Sequence, residues 1–420
     1  MPSGSRPGVK SGPVEERGDA NHYFPAESGP RMDGTSRKDD LLAGGSTVPL
    51  DPETLAERAA AALDPGPRAY LVGGAETEGS VRENRRAFDR WRIRPRVLRD
   101  TSTRDHRVTV GDERLSHPVA LAPIGMQSLY DDQAEEATAR AAGRTGTALC
   151  LSTVSSVSLE AVAREQDAAA EADGGTETPV RWFQAYWSGR EVTASMVRRA
   201  ERAGYSALVL TVDTPVTGWR TRELSSEYVP FDHGHGLANY ASDPVVRERL
   251  GDDPDDEAVA AVVAECLGDA SLDWDDVAWL RERTALPLYL KGVMHPDDAA
   301  RAADVADGVV VSNHGGRQVD GELAALDALE PVAEAVDNRV PVLFDSGIRT
   351  GADVFRALAL GADAVLLGRP YCSGLTLAGE DGVRDVVRNL RAAFDLTLEL
   401  SGYAAAESVD REAVVRVARG

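Results

Sequence analysis

Residues 308–321 read "GVVVSNHGGRQVDG". The apolar run Gly308–Val311 ends abruptly at Ser312, Asn313 and His314, and two glycines and Arg317 follow. A buried strand that ends by presenting an imidazole and a guanidinium within four residues places reactive groups at a strand mouth. Seven other apolar runs frame it: "VALAPIG" (119–125), "ALCLST" (148–153), "VRWFQAYW" (180–187), "ALVLTVD" (207–213), "PLYLKG" (287–292), "PVLFDSG" (341–347) and "AVLLGR" (364–369). Helical patterns such as "VTASMVRRAERAG" and "GADVFRALALG" lie between them and tend to end at glycine. Continuous apolar strands alternating with amphipathic helices imply a parallel sheet covered on its outer face. Eight such units predict an α/β fold, a (β/α)8 TIM barrel with strands from about 119 to 369. The alternative is an open doubly wound sheet. Its dinucleotide form is weakened because no G-x-G-x-x-G follows the first strand.

Outside the barrel the rhythm changes. Residues 1–50, rich in Gly, Pro, Ser and charge, are expected to form a poorly ordered arm, with one domain over 51–420. "DPETLAERAAAAL" starts a helical and irregular extension with Asp51 as N-cap and Pro52 in the first turn. After the fourth barrel strand, more than seventy residues separate Asp213 from Pro287. A connection of that length predicts a lid, at about 215–270.

Composition narrows the function classes. The chain carries 69 Asp and Glu against 46 Lys and Arg, a formal charge of −23, which argues against a nucleic-acid binder. Lysine is confined to Lys10, Lys38 and Lys291. This fits a halophilic protein of a high-salt cytoplasm, where screening tempers self-repulsion, or a GC-rich genome that favours arginine codons. Three scattered cysteines, no apolar leader and no run of ~20 apolar residues predict a cytoplasmic protein without a disulfide framework or membrane span.

A barrel of this kind carries its chemistry at the C-terminal ends of its strands. The polar residues there are Gln184, Tyr186, Thr211, Asp213, Lys291, Ser312 to His314, Asp345, Gly368 and Arg369. A carboxylate such as Asp213 behind His314 would fix the imidazole tautomer, which suits a general base. Arg220 and Arg317, in loops above the barrel, suit a substrate carboxylate. Lys291 is either balanced by a carboxylate such as Asp345 or is a fixed charge beside a cofactor that becomes anionic. "DSGIRTGADVF" and "LLGRP", at strands seven and eight, suit a phosphate held by backbone amides, a helix N-terminus, Arg349 and Arg369. "HGH" at 233–235 is too small a set for a metal, and no metal site is assigned.

These residues resemble the FMN-dependent α-hydroxy-acid dehydrogenases and oxidases. "SNHGGRQ" is similar to that family's active-site signature, and the likeness runs from about Tyr70 to Tyr403. "LAPIG", "TVDTPVTGWRTREL", "KGVMHPDDA", "VLFDSGIRTGADV" and "GRPY" resemble its lactate 2-monooxygenase branch most. The resemblance implies FMN as cofactor and a small L-2-hydroxy acid, L-lactate above all, as substrate, with O2 or another acceptor. His314 is then the base and Asp213 its orienting partner. Arg220 and Arg317, with Tyr70 and Tyr186, hold the substrate carboxylate. Pro123, Ile124, Gly125, Ser152, Gln184, Thr211 and Ser312 line the isoalloxazine and ribityl chain. Lys291 stabilises negative charge at flavin N1 and O2. Asp345, Ser346, Gly347, Ile348, Arg349, Gly368 and Arg369 hold the ribityl and phosphate. The resemblance also implies a homo-oligomer, a tetramer or octamer. One departure is Val154, where several relatives carry a bulky aromatic.

Three outcomes stay open at this point. A monooxygenase gives acetate and CO2, an oxidase gives H2O2, and a dehydrogenase passes electrons to a quinone or cytochrome. A non-catalytic flavin-binding homologue is a fourth class, and it would not be expected to keep His314 and both arginines.

Overall fold

The computed structural model describes residues 45–174, 178–251, 253–267 and 269–417. In chain order its strands are β1 (Trp91–Ile93), β2 (Val108–Val110), β3 (Glu113–Leu115), β4 (Val119–Leu121), β5 (Ala148–Ser152), β6 (Arg181–Ala185), β7 (Ala207–Thr211), β8 (Leu288–Lys291), β9 (Gly308–Val311), β10 (Val342–Phe344), β11 (Ala364–Leu367) and β12 (Val414–Arg416). Strands β4 to β11 close a parallel barrel in chain order, with β11 pairing β4 to shut it. The expected (β/α)8 barrel is present. Every residue of β5, β6, β7 and β9 is buried, which is why these segments read as continuous apolar runs rather than as alternation.

Helices cover the outside. Ala134–Thr145 packs on Leu159–Ala172 with its alanine face inward, and Gly146 ends the first in the left-handed region (φ 60°). The two ends of the barrel differ. At the strand starts, the β2–β3 hairpin is anchored by Trp182 Nε1, which donates to Glu113 Oε2 at 2.7 Å. Beside it, Arg181 at the start of β6 is buried against Asp167. The two terminal nitrogens of Arg181 both pair with the Asp167 carboxylate. The strand ends carry the candidate site.

The expected arm at 1–50 lies outside the described residues except for 45–50. There Thr47 donates from N and Oγ1 to Asp385 Oδ2, both at 2.8 Å, and so docks on the long helix Arg369–Ser401. Asp51 caps helix Pro52–Ala62 as expected, accepting from Thr54 N at 2.7 Å.

The connection between β7 and β8 is mostly helical, where a loop was expected. Thr221–Ser226, Ala238–Ala241, Pro244–Leu250, Asp256–Cys266 and Trp274–Arg281 are helices, and Pro230–His233 is a 3-10 turn. Its acidic residues serve as caps: Asp243 accepts from Val245 N, Asp255 from Ala258 N, and Asp273 from Asp275 N and Asp276 N. Buried Asn239 fastens the segment to the barrel, donating to Ser152 O and Thr153 O and accepting from Leu159 N. The "HGH" histidines are packing residues here. His233 stacks on Tyr228 with ring centroids 4.5 Å apart, and His235 Nδ1 hydrogen-bonds Ser128 Oγ at 2.6 Å.

Candidate active site

Strands β7, β8 and β9 are neighbours, so the residues that follow them converge. Asp213 Oδ1 lies 2.9 Å from His314 Nδ1. That bond puts the other ring nitrogen, Nε2, in the acceptor role when the ring is neutral. His314 lines the central cavity and Asp213 stands behind it. Burial pushes the His314 pKa down, Asp213 pushes it up, and Lys291 and Arg220 push it down again, with a net value below the ordinary 6.5. The imidazole is therefore a neutral base at physiological pH. Burial opposes the charge on Asp213, but His314 and Lys291 hold its pKa below the usual carboxylate value.

The local backbone explains how "SNHGGR" achieves this. His314, Gly315 and Gly316 all have positive φ, at 54°, 67° and 77°. The turn is held by Ser312 Oγ, which accepts from His314 N at 3.0 Å, and by Ser346 Oγ, which accepts from Gly315 N at 3.0 Å. Gly316 is required twice: its φ is left-handed, and a Cβ would sit 2.6 Å from Val81 N. Asn313 and Asn84 exchange side-chain amide bonds at 2.8 and 2.9 Å, which ties the turn to helix Gly79–Asp89. Gly292, just after β8, makes room for the dyad, since a Cβ there would sit 2.5 Å from Asp213 Cβ.

Lys291 is fully enclosed. Its ammonium donates to Ser312 Oγ at 3.0 Å and lies 3.5 Å from Asp345 Oδ2. Burial disfavours the charge, yet Asp345 and Asp213 raise its pKa above the ordinary lysine value. Lys291 thus has the carboxylate partner Asp345 and also lines the cavity.

The central cavity encloses about 900 Å³ of empty space, part of it open to solvent. Of the predicted residues, Tyr70, Pro123, Ile124, Gly125, Ser152, Gln184, Tyr186, Thr211, Lys291, His314, Arg317, Asp345, Ser346, Gly347, Ile348, Arg349, Gly368 and Arg369 line it. Ser312 does not: it is fully buried and acts through Lys291 and His314. Arg220 lines an adjoining chamber beneath the β7–β8 connection, about 1300 Å³ of empty space that is partly open to solvent, whose walls include Met126, Trp187, Leu224 and Phe231. Val154 borders both spaces. Sequence reasoning missed Leu71, Ala122, Tyr130, Gly315 and Leu366 in the cavity wall, and it missed Glu223. The Glu223 carboxylate sits between Arg317 (NH2–Oε1, 2.9 Å) and Arg220 (NH1–Oε2, 3.6 Å). The one available signal was its place three residues after Arg220 in "RTRE".

The cavity's far end calls for an anion. Arg349 and Arg369 are half-buried, and neither forms an ion pair with a carboxylate among the described residues, Asp353 and Glu78 acting on them only at longer range. Their donors reach only carbonyls: Ile348 O for Arg349, and Leu71 O, Gly315 O and Gly73 O for Arg369. Burial and the neighbouring Arg85 push Arg349 down to about 10. Burial together with Arg317 and Arg349 pushes Arg369 down to about 9. Two desolvated like charges are stabilised by a dianion such as a phosphate. The helix Arg369–Ser401 begins at Gly368 without a side-chain cap, which adds an open N-terminus on the same wall. The other helix expected to contribute, Gly351–Ala359, is closed by its own capping box. Asp353 Oδ2 accepts from both Arg349 N and Thr350 N at 3.0 Å. Two guanidiniums without ion-pair partners at one end, a buried ammonium midway and an imidazole at the mouth fit an elongated anionic cofactor that gains negative charge when reduced.

Comparison with known proteins agrees. A family model described as FMN-dependent dehydrogenase matches residues 59–416. An L-lactate oxidase of Lysinibacillus sphaericus is 38% identical, with 88% of this chain and 95% of that one covered. A glycolate oxidase of Zea mays is 41% identical over 82% of this chain and 90% of that one. The crystal structure of a mandelate oxidase superposes with a TM-score of 0.76 at 35% identity, covering 86% of this chain and 97% of that one. With the family model spanning most of its length, its relatives aligned nearly end to end and its barrel mouth built as described, the chain belongs to the FMN-dependent dehydrogenase family.

Proposed function

We propose that this protein oxidises L-2-hydroxy acids, with FMN as cofactor and O2 as final acceptor. The observation that carries the reading is the His314–Asp213 dyad facing a cavity, with half-buried Arg317 in that cavity's wall and half-buried Arg220 in the wall of the adjoining chamber. FMN, when bound, takes up the two electrons released as the substrate α-carbon is oxidised and passes them to the acceptor. The residues of the chain do the rest. Arg317 and Arg220 bind the substrate carboxylate and so fix the α-carbon relative to His314. Tyr70 and Tyr186 assist as neutral donors: burial raises both phenols, Tyr186 to about 12. His314 Nε2 accepts the proton released in the oxidation, and Asp213 stabilises the imidazolium that forms. Lys291 holds positive charge beside the cofactor, and Arg349 and Arg369 neutralise its phosphate.

L-lactate carries all the groups this site reads. The product depends on how long the keto acid stays. If pyruvate leaves before O2 is reduced, lactate and O2 yield pyruvate and H2O2. If it stays, H2O2 attacks it, and lactate and O2 yield acetate, CO2 and water. The enclosing β7–β8 connection and the arginine pair favour retention, so we assign lactate 2-monooxygenase activity. A second reading of the substrate rests on the roomy, largely apolar chamber beside Val154, which favours 2-hydroxy acids with longer side chains. The test is anaerobic addition of L-lactate, L-2-hydroxyoctanoate and (S)-mandelate to the yellow holoprotein, followed by acetate, pyruvate and peroxide assays in air. Failure of every acid to bleach the flavin overturns the proposal. Stoichiometric H2O2 with pyruvate makes the protein a simple oxidase. Reduction with negligible O2 uptake makes it a dehydrogenase.

A further inference from the structure

The arginine pair already holds a carboxylate of the chain's own. Glu223 sits on the short helix Thr221–Ser226 of the β7–β8 connection, and its two oxygens go to different guanidiniums. The remaining contacts of both arginines are to neutral groups. Arg317 NH1 donates to Tyr70 O and Gly73 O, Arg220 Nε to Arg317 O, and Arg220 NH2 to Gln318 Oε1. Glu223 is thus the one anion paired with either guanidinium among the described residues. It also lines the same chamber as Arg220.

Two half-buried guanidiniums and one carboxylate leave a single net positive charge for an incoming acid. A group of the same chemistry as the ligand, tethered beside its receptor, lowers the ligand's apparent affinity by the fraction of time it holds the receptor. It also gives the product carboxylate a partner that takes over its hydrogen bonds as it leaves. We propose that Glu223 is an internal carboxylate competitor that shortens the residence of the keto-acid product and thereby sets the division between peroxide release and oxidative decarboxylation. This rests on the 2-hydroxy-acid reading given above. The chemistry divided is pyruvate + H2O2 → acetate + CO2 + H2O. The peroxide oxygen attacks the keto carbon, the carboxyl carbon leaves as CO2, and the O–O bond breaks to form water.

The experiment uses three holoenzymes: wild type, Glu223→Gln and Glu223→Asp. Pyruvate and acetate are titrated against the FMN absorption spectrum, and the acetate-to-pyruvate product ratio from L-lactate in air is measured with catalase present. The Gln variant keeps size and hydrogen bonding but loses the charge, so pyruvate should bind about tenfold tighter and the product ratio should shift toward acetate. The Asp variant keeps the charge and should stay within about twofold of wild type. A merely structural clamp predicts the opposite, because loosening the arginines weakens pyruvate. Unchanged or weaker pyruvate binding in the Gln variant overturns the proposal. If that variant fails to accumulate with FMN, Glu223→Ser replaces it and is read by the same criteria. Wild-type flavin that no 2-hydroxy acid reduces defeats the functional reading itself. Normal flavin reduction with an unmoved pyruvate affinity defeats only the role of Glu223.

Discussion

Two enclosed histidine–aspartate pairs stand out among the described residues, one half-buried and one buried, and they are built to opposite ends. His314–Asp213 sits at the barrel mouth, and His106–Asp395 sits beside the long C-terminal helix. Their distances are similar, 2.9 and 2.7 Å. Their surroundings are not. Asp395 is saturated: Oδ1 accepts from His106 Nε2 and from Arg104 Nε at 2.6 Å, and Oδ2 accepts from Arg104 NH2 at 2.8 Å. His106 is closed in by the edge of Phe394. Asp213 instead leaves Oδ2 buried without a partner, and His314 borders open space. A histidine–carboxylate bond is therefore no mark of catalysis by itself. What separates the pairs is a cavity on the far side of the ring and a carboxylate whose one side-chain hydrogen bond, among the described residues, is to that ring.

The largest expected effect is at the open pair. His314→Gln should bind FMN yet lose flavin reduction by the hydroxy acid by ~10²-fold or more, the scale for a positioned base. Stopped-flow reduction measures it, and near-normal reduction would erase the distinction between the pairs. The pH dependence sharpens it. The base works when neutral and its pKa lies below 6.5, so kcat/KM should rise with pH along an acid limb centred below 6.5 and then level off. Asp213 raises that pKa, so Asp213→Asn should move the limb to still lower pH as well as slow the reaction.

The closed pair should respond in stability instead. Asp395→Asn removes the carboxylate that accepts from buried His106 and half-buried Arg104, leaving Arg104 only Glu399 at 3.5 Å as an ion-pair partner, at a cost of about 1.5–3 kcal/mol, the scale for hydrogen bonds to charged groups. Thermal unfolding should show the loss while flavin reduction in the folded variant stays near wild type. Burial works against the Asp395 charge, but bonds from His106 and Arg104 hold its pKa down at about 2. A depressed carboxyl stabilises the fold above its unfolded value, near ~4, and loses that contribution as pH falls toward 2. The acid sensitivity contributed by this pair should therefore lie between about pH 4 and 2 and vanish in the Asn variant.

A smaller effect is expected midway along the cavity. Lys291→Met should lower the FMN midpoint potential, by roughly 30 mV for each ~1.4 kcal/mol of lost charge stabilisation. Spectroelectrochemistry decides it, and an unchanged or raised potential would remove the lysine from the cofactor's electrostatics. The smallest effect belongs to neither pair. With a net charge of −23, the melting temperature should rise between low and molar KCl as repulsion is screened. A steady fall would exclude salt adaptation.

Much of the mouth was legible because barrel strands carry their chemistry at their ends. His314, Lys291, Thr211, Gln184 and Asp345 could each be placed by finding where an apolar run stops. The resemblance of "SNHGGRQ" added the roles. What stayed hidden came from segments remote in sequence. Arg317 and Glu223 are 94 positions apart, and Asn84 and Asn313 are 229 apart. No local periodicity records such contacts. The capping box that closes helix Gly351–Ala359 was locally readable in "TGAD", yet the gathering of Arg349, Arg369 and the start of the next helix on one cavity wall depends on three elements meeting.

The sequence by itself determined the barrel and the identity of its mouth residues, because strand burial, helix period and strand-end polarity are short-range patterns, while the cofactor followed from the resemblance of "SNHGGRQ" to a known family. Only the tertiary structure decided which histidine–aspartate pair opens on a cavity, that Ser312 works from behind rather than at the surface, and that the arginine pair already holds a carboxylate. Those outcomes turn on the directions of side chains from separate elements within a few ångströms, where electrostatic and hydrogen-bond energies change steeply with distance.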